Sequence, residues 1–171
     1  MAKVVPQLDF MAAIKLAFSR LKETTGRSRR SEFWWAFLAI YVGSYLVGYI
    51  LGLIPGVGVW LQFLVQIVGM IVTLPLLMRR MHDIGKGNGL VWAYAIVYGL
   101  FLLSFLITAI SIKSGGFGGT IIGGIFATIL SIALAVVGII LLIMCIKDSE
   151  GENKYGPSPK YPEGKPATPA Q

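Results

Sequence analysis

The chain has 171 residues, of which 56% are hydrophobic and only 13% are charged. Soluble domains average about 45–50% apolar and about 25% charged residues, so this composition excludes an ordinary soluble domain and indicates a membrane protein. The net charge of +7 does not indicate nucleic-acid binding, because the basic residues flank apolar runs instead of forming a stripe on a folded surface.

The N-terminal segment predicts a short amphipathic helix over about residues 9–22. Its apolar residues recur at helical spacing on one face: Phe10, Ile14, Ala17, Phe18 and Leu21. Asp9 precedes them and is suited to cap the helix. Two placements stay open. The helix lies on the anionic membrane surface as an interfacial element, or its apolar face packs against the ends of the membrane helices.

Four apolar runs are long enough to cross a bilayer, which takes roughly 20 helical residues. They cover about residues 33–54, 60–78, 90–112 and 120–146, and none contains Asp, Glu, Lys, Arg or His. The short connection "IPGVG" makes the first two runs an antiparallel hairpin. The sequence therefore predicts an all-α polytopic membrane protein, with four transmembrane helices as two antiparallel hairpins in a single membrane domain over residues 1–156.

Basic residues are distributed unevenly between the connecting segments. Residues 1–32 carry 7 Lys and Arg, residues 79–89 carry 3, the C-terminal tail carries 4, and the glycine-rich loop before the fourth run carries 1. With four spans, the three richest segments share one side. The positive-inside rule therefore predicts that both termini are cytoplasmic.

Small residues at four-residue intervals predict close helix packing in two of the spans. Lipid tails are as apolar as leucine, so helices associate through close backbone approach. The predicted packing positions are Ser44, Gly48 and Gly52 in the first span, and Gly119, Gly123, Ala127, Ser131 and Ala135 in the fourth. We interpret them as contacts between helices of one chain, with a homo-oligomer interface as the alternative.

The second span carries a polar face formed by Gln62, Gln66, Gly69 and Thr73. In hydrocarbon this face must contact protein or water, because an unpaired amide is costly there. One interpretation is hydrogen bonding between helices, and the other is the wall of a solute path. No acidic or histidine residue lies at membrane depth, which argues against a proton-coupled transporter.

Charged residues next to the first two spans form a candidate cluster on the cytoplasmic side: Arg27, Arg30, Glu32, Arg79, Arg80, His82 and Asp83. Carboxylates so near the interface need partners, so we expect Asp83 and Glu32 to bond arginines of the opposite segment, most simply Arg30 with Asp83. Such pairs make a structural clasp. The alternatives are binding of anionic headgroups by the surplus arginines and general-base catalysis by His82.

We expect no metal and no other cofactor, because the chain has one histidine and one cysteine, and Cys145 lies inside an apolar run. The C-terminal segment holds five prolines from residue 151 onward and almost no aliphatic residues. It therefore predicts a proline-rich disordered tail over residues 157–171.

Three motifs, "GRSRRSEFWW", "RRMHDIGKG" and "GENKYGPSP", occur in this order around the four spans. Together they resemble the bacterial inner-membrane family known as domain of unknown function 805. The resemblance marks Gly26, Arg27, Arg30, Glu32, Phe33, Trp34, Arg79, Arg80, His82, Asp83, Gly85, Gly151, Asn153, Tyr155, Gly156 and Pro159. It implies a protein of the bacterial cytoplasmic (inner) membrane and no established chemistry.

The leading functional prediction is a non-enzymatic structural or interaction protein, or an accessory subunit of a membrane complex. Its expected partners are membrane lipids with anionic headgroups and either a second copy of the chain or a larger complex, with no nucleic acid. One alternative is a small-solute transporter or channel subunit lined by Gln62, Gln66 and Thr73. The other is an enzyme acting on lipid headgroups through His82.

Overall fold

The protein is all-helical in residues 4–164, the part of the chain that the computed structural model describes. The five helices are α1 (Phe10–Ser19), α2 (Arg30–Gly52), α3 (Gly58–Asp83), α4 (Gly89–Lys113) and α5 (Phe117–Ile146). By length and composition, α2, α3, α4 and α5 can each cross a membrane. The prediction of an all-α, multi-pass membrane protein is confirmed. The helices extend beyond the predicted spans because α2 and α3 continue into charged residues that an apolar window leaves out.

Contacts group the chain into two compact units, and the single membrane domain over residues 1–156 stays a prediction. One unit comprises the residues up to Asn88 together with those from Met144 onward, and the other is Gly89–Ile143. The first unit therefore joins α1, α2 and α3 to the last turn of α5 and the segment that follows it.

In the first unit, α2 and α3 form the predicted hairpin. The small residues of α2 face the polar face of α3: a Cβ added at Gly48 would lie 3.6 Å from Cγ of Gln62 and 3.8 Å from Nε2 of Gln66. At the turn, a side chain at Gly58 would overlap the Gly52 carbonyl. Backbone approach this close explains why glycine stands at the turn between the helices.

Helix α1 packs on α2. Asp9 caps it as predicted, its Oδ1 accepting a hydrogen bond from the Ala12 amide at 2.7 Å. Ala13 and Ala17 are buried, and α1 is shorter than the predicted 9–22 range. The exposed residues of α1 include Met11, so the helix also retains an apolar surface outside this contact.

In the second unit, α4 and the first half of α5 approach closely. A Cβ added at Gly123 would overlap the Thr108 hydroxyl, and one at Gly119 would overlap that of Ser111. The predicted ridge on α5 is thus buried at Gly123, becomes half-buried at Ala127, and its last members, Ser131 and Ala135, are exposed.

The outer surfaces of the long helices are apolar. Tyr41 of α2 is 66% exposed and Ile132 of α5 is 61% exposed, and many other large hydrophobic side chains are similar. Soluble proteins rarely expose so much contiguous apolar surface. These surfaces are suited to contact lipid.

The segment after α5 is packed as far as the structure describes it. Tyr161 is 7% exposed and Ser158 is 2% exposed, and the Val5 amide donates to the Lys160 carbonyl at 3.1 Å. Aromatic and polar side chains make these contacts in place of aliphatic ones, while the disordered tail over residues 157–171 stays a prediction. Residues 165–171 of that prediction lie outside the described residues.

Candidate functional site

A cluster of buried polar side chains lies where the end of α3 meets the loop before α2 and the segment after α5. Nine residues, each at most 6% exposed, form what we call the polar cluster: Arg27, Ser28, Arg29, Glu32, Arg79, Arg80, His82, Asp83 and Ser149. Six of the seven residues predicted for this site belong to it. The seventh, Arg30, lies at the edge with 42% of its side chain exposed.

The Asp83 carboxylate is the centre of the polar cluster. Its Oδ1 lies 3.2 Å from Nε and 3.1 Å from Nη2 of Arg27. Its Oδ2 accepts a hydrogen bond from Ser149 Oγ at 2.6 Å and pairs with Arg80, one turn earlier in α3. A carboxylate that would be costly to bury alone is therefore satisfied by three side chains.

Arg27 joins three segments of the chain through its guanidinium. Besides the Asp83 side chain, it donates to the carbonyls of Asp83 (3.1 Å), Glu150 (2.8 Å), Gly151 (2.7 Å) and Gly156 (2.8 Å). A guanidinium has five N–H donors, so this one is fully used inside the protein. The loop before α2, the end of α3 and the segment after α5 are thereby fixed to one another.

Arg79 and Glu32 form a second buried pair. Nη2 of Arg79 lies 3.4 Å from Oε1 of Glu32, and Nη1 of Arg20 lies 3.8 Å from the same oxygen. Nη1 of Arg79 donates to the carbonyls of Arg20 and Glu23, the latter at 2.9 Å. This pair ties the residues after α1 to α3.

Arg80 caps the end of α5. Its Nε and Nη2 donate to the Cys145 carbonyl at 3.2 and 3.0 Å, and Nη2 also donates to the Lys147 carbonyl. The last carbonyls of a helix have no partner within it, and a cation there also interacts favourably with the helix dipole. Arg80 thus holds the last turn of α5 against α3.

His82 is 5% exposed and has partners on two sides. Its Nδ1 lies 3.0 Å from the Gly26 carbonyl, and because a carbonyl only accepts, Nδ1 carries the proton in this contact. The Tyr155 ring stacks on the imidazole, with the ring centroids 3.9 Å apart and the planes 13° apart. The ring is positioned as a structural group.

The predicted pair between Arg30 and Asp83 is wrong. Arg30 instead lies 3.1 Å from Asp148 Oδ1. The arginine of the N-terminal segment that pairs with Asp83 is Arg27, and Asp83 also pairs with Arg80 of its own helix. Spacing alone does not fix which of the neighbouring arginines turns inward: Arg30 begins α2 and points outward, whereas Arg27 lies in the preceding loop. Glu32 does bond an arginine of the opposite segment, Arg79.

Asp148 organises a smaller network at the edge of the polar cluster. Nζ of Lys160 lies 2.7 Å from both carboxylate oxygens, and the Tyr161 hydroxyl donates at 2.8 Å. Burial opposes ionisation of Asp148, but the hydrogen bonds from Lys160 and Tyr161 outweigh it and lower the pKa from 3.8 to about 2. These bonds hold residues 160–161 beside the end of α5.

Residues 21–157 match the model of a family described as a protein of unknown function (DUF805). This range covers most of the chain and includes all of the polar cluster. The chain belongs to the DUF805 family. No curated protein and no solved structure matches it.

In this DUF805 chain, the third motif, "GENKYGPSP", contacts the polar cluster. Composition and spacing assigned no role to its residues. The side-chain Nδ2 of Asn153 donates to the His82 carbonyl at 3.0 Å. The backbone N–H of Asn153 donates to the Gly156 carbonyl and closes a tight turn. Gly156 has a φ of +105°, which favours glycine. Hydrophobic periodicity cannot detect such a segment; the only signal was the motif itself.

The polar face of the second span does not join the polar cluster. Gln62 and Gln66 lie against α2, and Thr73 donates from its hydroxyl to the Gly69 carbonyl at 2.7 Å within α3. Ser44 Oγ would lie 2.8 Å from a Cβ at Gly69. Within residues 4–164 there is also no group of three or more His, Cys, Asp and Glu residues that could hold a metal ion.

Proposed function

We propose that this DUF805 chain is a non-enzymatic assembly protein of the bacterial cytoplasmic membrane, with both termini in the cytoplasm, in which the polar cluster acts as a structural clasp. The clasp holds the ends of α2 and α3, the last turn of α5 and the segment after it in one arrangement. It thereby presents a fixed polar surface to a second copy of the chain or to a larger complex.

The observation that carries this proposal is the internal use of the charged groups. Arg27 directs all of its donors to protein acceptors, and Asp83 has three partners and is fully buried. A catalytic or transport site needs groups that are free to engage a substrate. A buried centre in which Arg27 and Asp83 are fully paired instead favours a role in fixing conformation.

His82 supports the same conclusion over the alternative of a headgroup enzyme. A general base must reach the proton that it abstracts, whereas this imidazole is covered by Tyr155 and bonded to the Gly26 carbonyl. The contact of Gln62 and Gln66 with α2 likewise favours packing between helices over a solute path.

The test compares two variants of neighbouring residues, purified in mild detergent. Asp83→Asn removes the central charge, and we expect it to lower the unfolding temperature and to abolish any higher-mass assembly seen by native mass spectrometry. His82→Phe retains a ring against Tyr155, and we expect it to assemble like the wild type with only a small loss of stability.

Two results would contradict the proposal. A wild-type protein that is strictly monomeric and binds no other protein in mild detergent would remove the assembly role. A His82→Phe protein that keeps its fold and assembly, yet loses the biological activity of the wild type in cells, would restore a chemical role for the imidazole.

A further inference from the structure

A cleft of about 330 Å³ opens beside the first turns of α2, at the edge of the polar cluster. Its walls carry three cationic side chains and two indoles: Arg29, Arg30, Lys160, Trp34 and Trp35. Ligand pockets in proteins typically have volumes of about 300–1,000 Å³. The cleft is therefore large enough for a small charged group, and its wall is cationic.

Arg29 is the arginine with the fewest partners. Its side chain is buried, and its hydrogen bond runs from Nη2 to the Val5 carbonyl at 3.1 Å. Every other arginine between residues 4 and 164 lies within 4.0 Å of a carboxylate, and Arg29 does not. Burial lowers the pKa of Arg29, although the charges of Glu32 and Asp83 partly oppose this. A buried cation on the wall of a cleft, with N–H donors to spare, favours an anionic ligand.

The other two cations of the cleft share a single carboxylate. Asp148 lies 3.1 Å from Arg30 Nη2 and 2.7 Å from Lys160 Nζ. The described residues that line the cleft include three cations and no carboxylate, so its wall keeps an excess of positive charge. This excess favours a ligand with a net negative charge over a zwitterionic one.

The indoles place the cleft at a defined depth. Trp34 and Trp35 lie in the second turn of α2, where its apolar run begins, and Trp35 is 40% exposed. Indoles at the end of a transmembrane helix lie at the level of the lipid headgroups. We propose that this cleft binds the phosphate of an anionic ligand, and that at this depth the ligand is the headgroup of an anionic phospholipid.

The test is a titration of the full-length protein in a neutral detergent, followed by native mass spectrometry. The probes are dioctanoyl phosphatidylglycerol, zwitterionic dioctanoyl phosphatidylcholine, and glycerol 3-phosphate, which has no acyl chains. We expect phosphatidylglycerol to bind more tightly than phosphatidylcholine. Arg29→Gln and Arg30→Gln should each weaken that binding by about tenfold or more, the loss expected for one charge-assisted hydrogen bond. Lys22→Gln removes the same charge from an exposed residue outside the cleft and should leave the binding unchanged.

The arms of the experiment separate the two sources of phosphate. Binding of phosphatidylglycerol without binding of glycerol 3-phosphate identifies the lipid, and equally tight binding of glycerol 3-phosphate identifies a water-soluble phosphate compound. The proposal is overturned if Arg29→Gln and Arg30→Gln bind phosphatidylglycerol as tightly as the wild type and Lys22→Gln do. It is also overturned if the wild type binds phosphatidylglycerol no more tightly than phosphatidylcholine. If Arg29→Gln does not fold, the partly exposed Arg30 decides the matter, since replacing it leaves every ion pair of the polar cluster in place.

Discussion

Arg27 shows how one side chain can replace the hydrophobic core that a small polar segment lacks. The residues around Gly151 and Gly156 have few aliphatic neighbours to pack against, yet their carbonyls lie 2.7 and 2.8 Å from its Nη1. A planar guanidinium can serve several acceptors at fixed angles, which a lysine ammonium cannot. The identity of this residue, and not only its charge, therefore stabilises the segment.

Arg27→Lys tests this requirement at constant charge. A single ammonium cannot reach four carbonyls and the Asp83 carboxylate together, so we expect the free energy of unfolding to fall by about 3–5 kcal/mol, because several buried carbonyls each lose a donor at a cost of about 1–3 kcal/mol. The measurement is unfolding in mixed detergent micelles. Arg30→Lys is the matched control, because its pair with Asp148 is partly exposed, and it should cost less than about 1 kcal/mol. Equal losses in the two variants would contradict this account.

Asp148 predicts a dependence of stability on pH. Its folded-state pKa of about 2 lies below the ordinary value of 3.8, so the ionised carboxylate stabilises the folded chain above about pH 4, and this contribution is lost as the pH falls toward 2. We expect Asp148→Asn to lower stability by roughly 1 kcal/mol at pH 7, since the site is partly exposed. Thermal unfolding of both proteins from pH 7 to pH 2.5 should show the gap narrowing below pH 4; a constant gap would refute the assignment.

The helix α5 contains two adjacent glycines in opposite environments. A Cβ at Gly123 would overlap Thr108 of α4, whereas one at Gly124 would have no atom within 4 Å. Both positions are interior to the helix, so alanine has the same effect on helix propensity at each. The two differ only in their contact with α4.

Gly123→Ala should therefore destabilise the pair of α4 and α5 by about 1–3 kcal/mol, the usual cost of overpacking. Gly124→Ala should be neutral or slightly stabilising. Unfolding in detergent, or crosslinking between cysteines introduced into α4 and α5, measures the difference. A larger effect at Gly124 would mean that α5 is rotated from the orientation described above.

The helices were predictable from sequence because each depends on a local pattern. An apolar run of about twenty residues can satisfy its backbone in a bilayer only as a helix. The packing was also partly predictable: Gly48 was assigned to a ridge of small residues and Gln66 to a polar face, and the two meet in the structure. The ion pairs of the polar cluster were less predictable. They depend on the path of a loop, which decided between Arg27 and Arg30, and on a proline-containing segment whose contacts are made by Asn153 and Tyr155 and have no periodicity.

At the scale of the whole molecule, the polar cluster brings three separate charged segments together, and their location on the cytoplasmic side of the membrane stays a prediction. Cys145 is the single cysteine and is fully buried, so a cysteine introduced elsewhere can be labelled against a low background. The chain is therefore well suited to a labelling test of its topology.

We expect Ser114→Cys, in the loop before α5, to react with a membrane-impermeant maleimide in intact cells. Lys154→Cys, in the segment after α5, should react only after the cells are permeabilised. Both side chains are exposed, so differences in reactivity report location. Labelling of Lys154→Cys in intact cells would reverse the predicted orientation.

The partners in the polar cluster are synthesised at very different times. Asp83 precedes Ser149 by 66 residues and Arg27 precedes Gly156 by 129, which at roughly 5–20 residues per second amounts to several seconds or more. During this interval Arg27, Arg80 and Asp83 lack the partners that the end of α5 and the segment after it supply. The final arrangement near α3 is therefore completed only after residue 156 has been synthesised, and a nascent protein stopped before residue 149 would leave Arg27 and Asp83 without several of their partners.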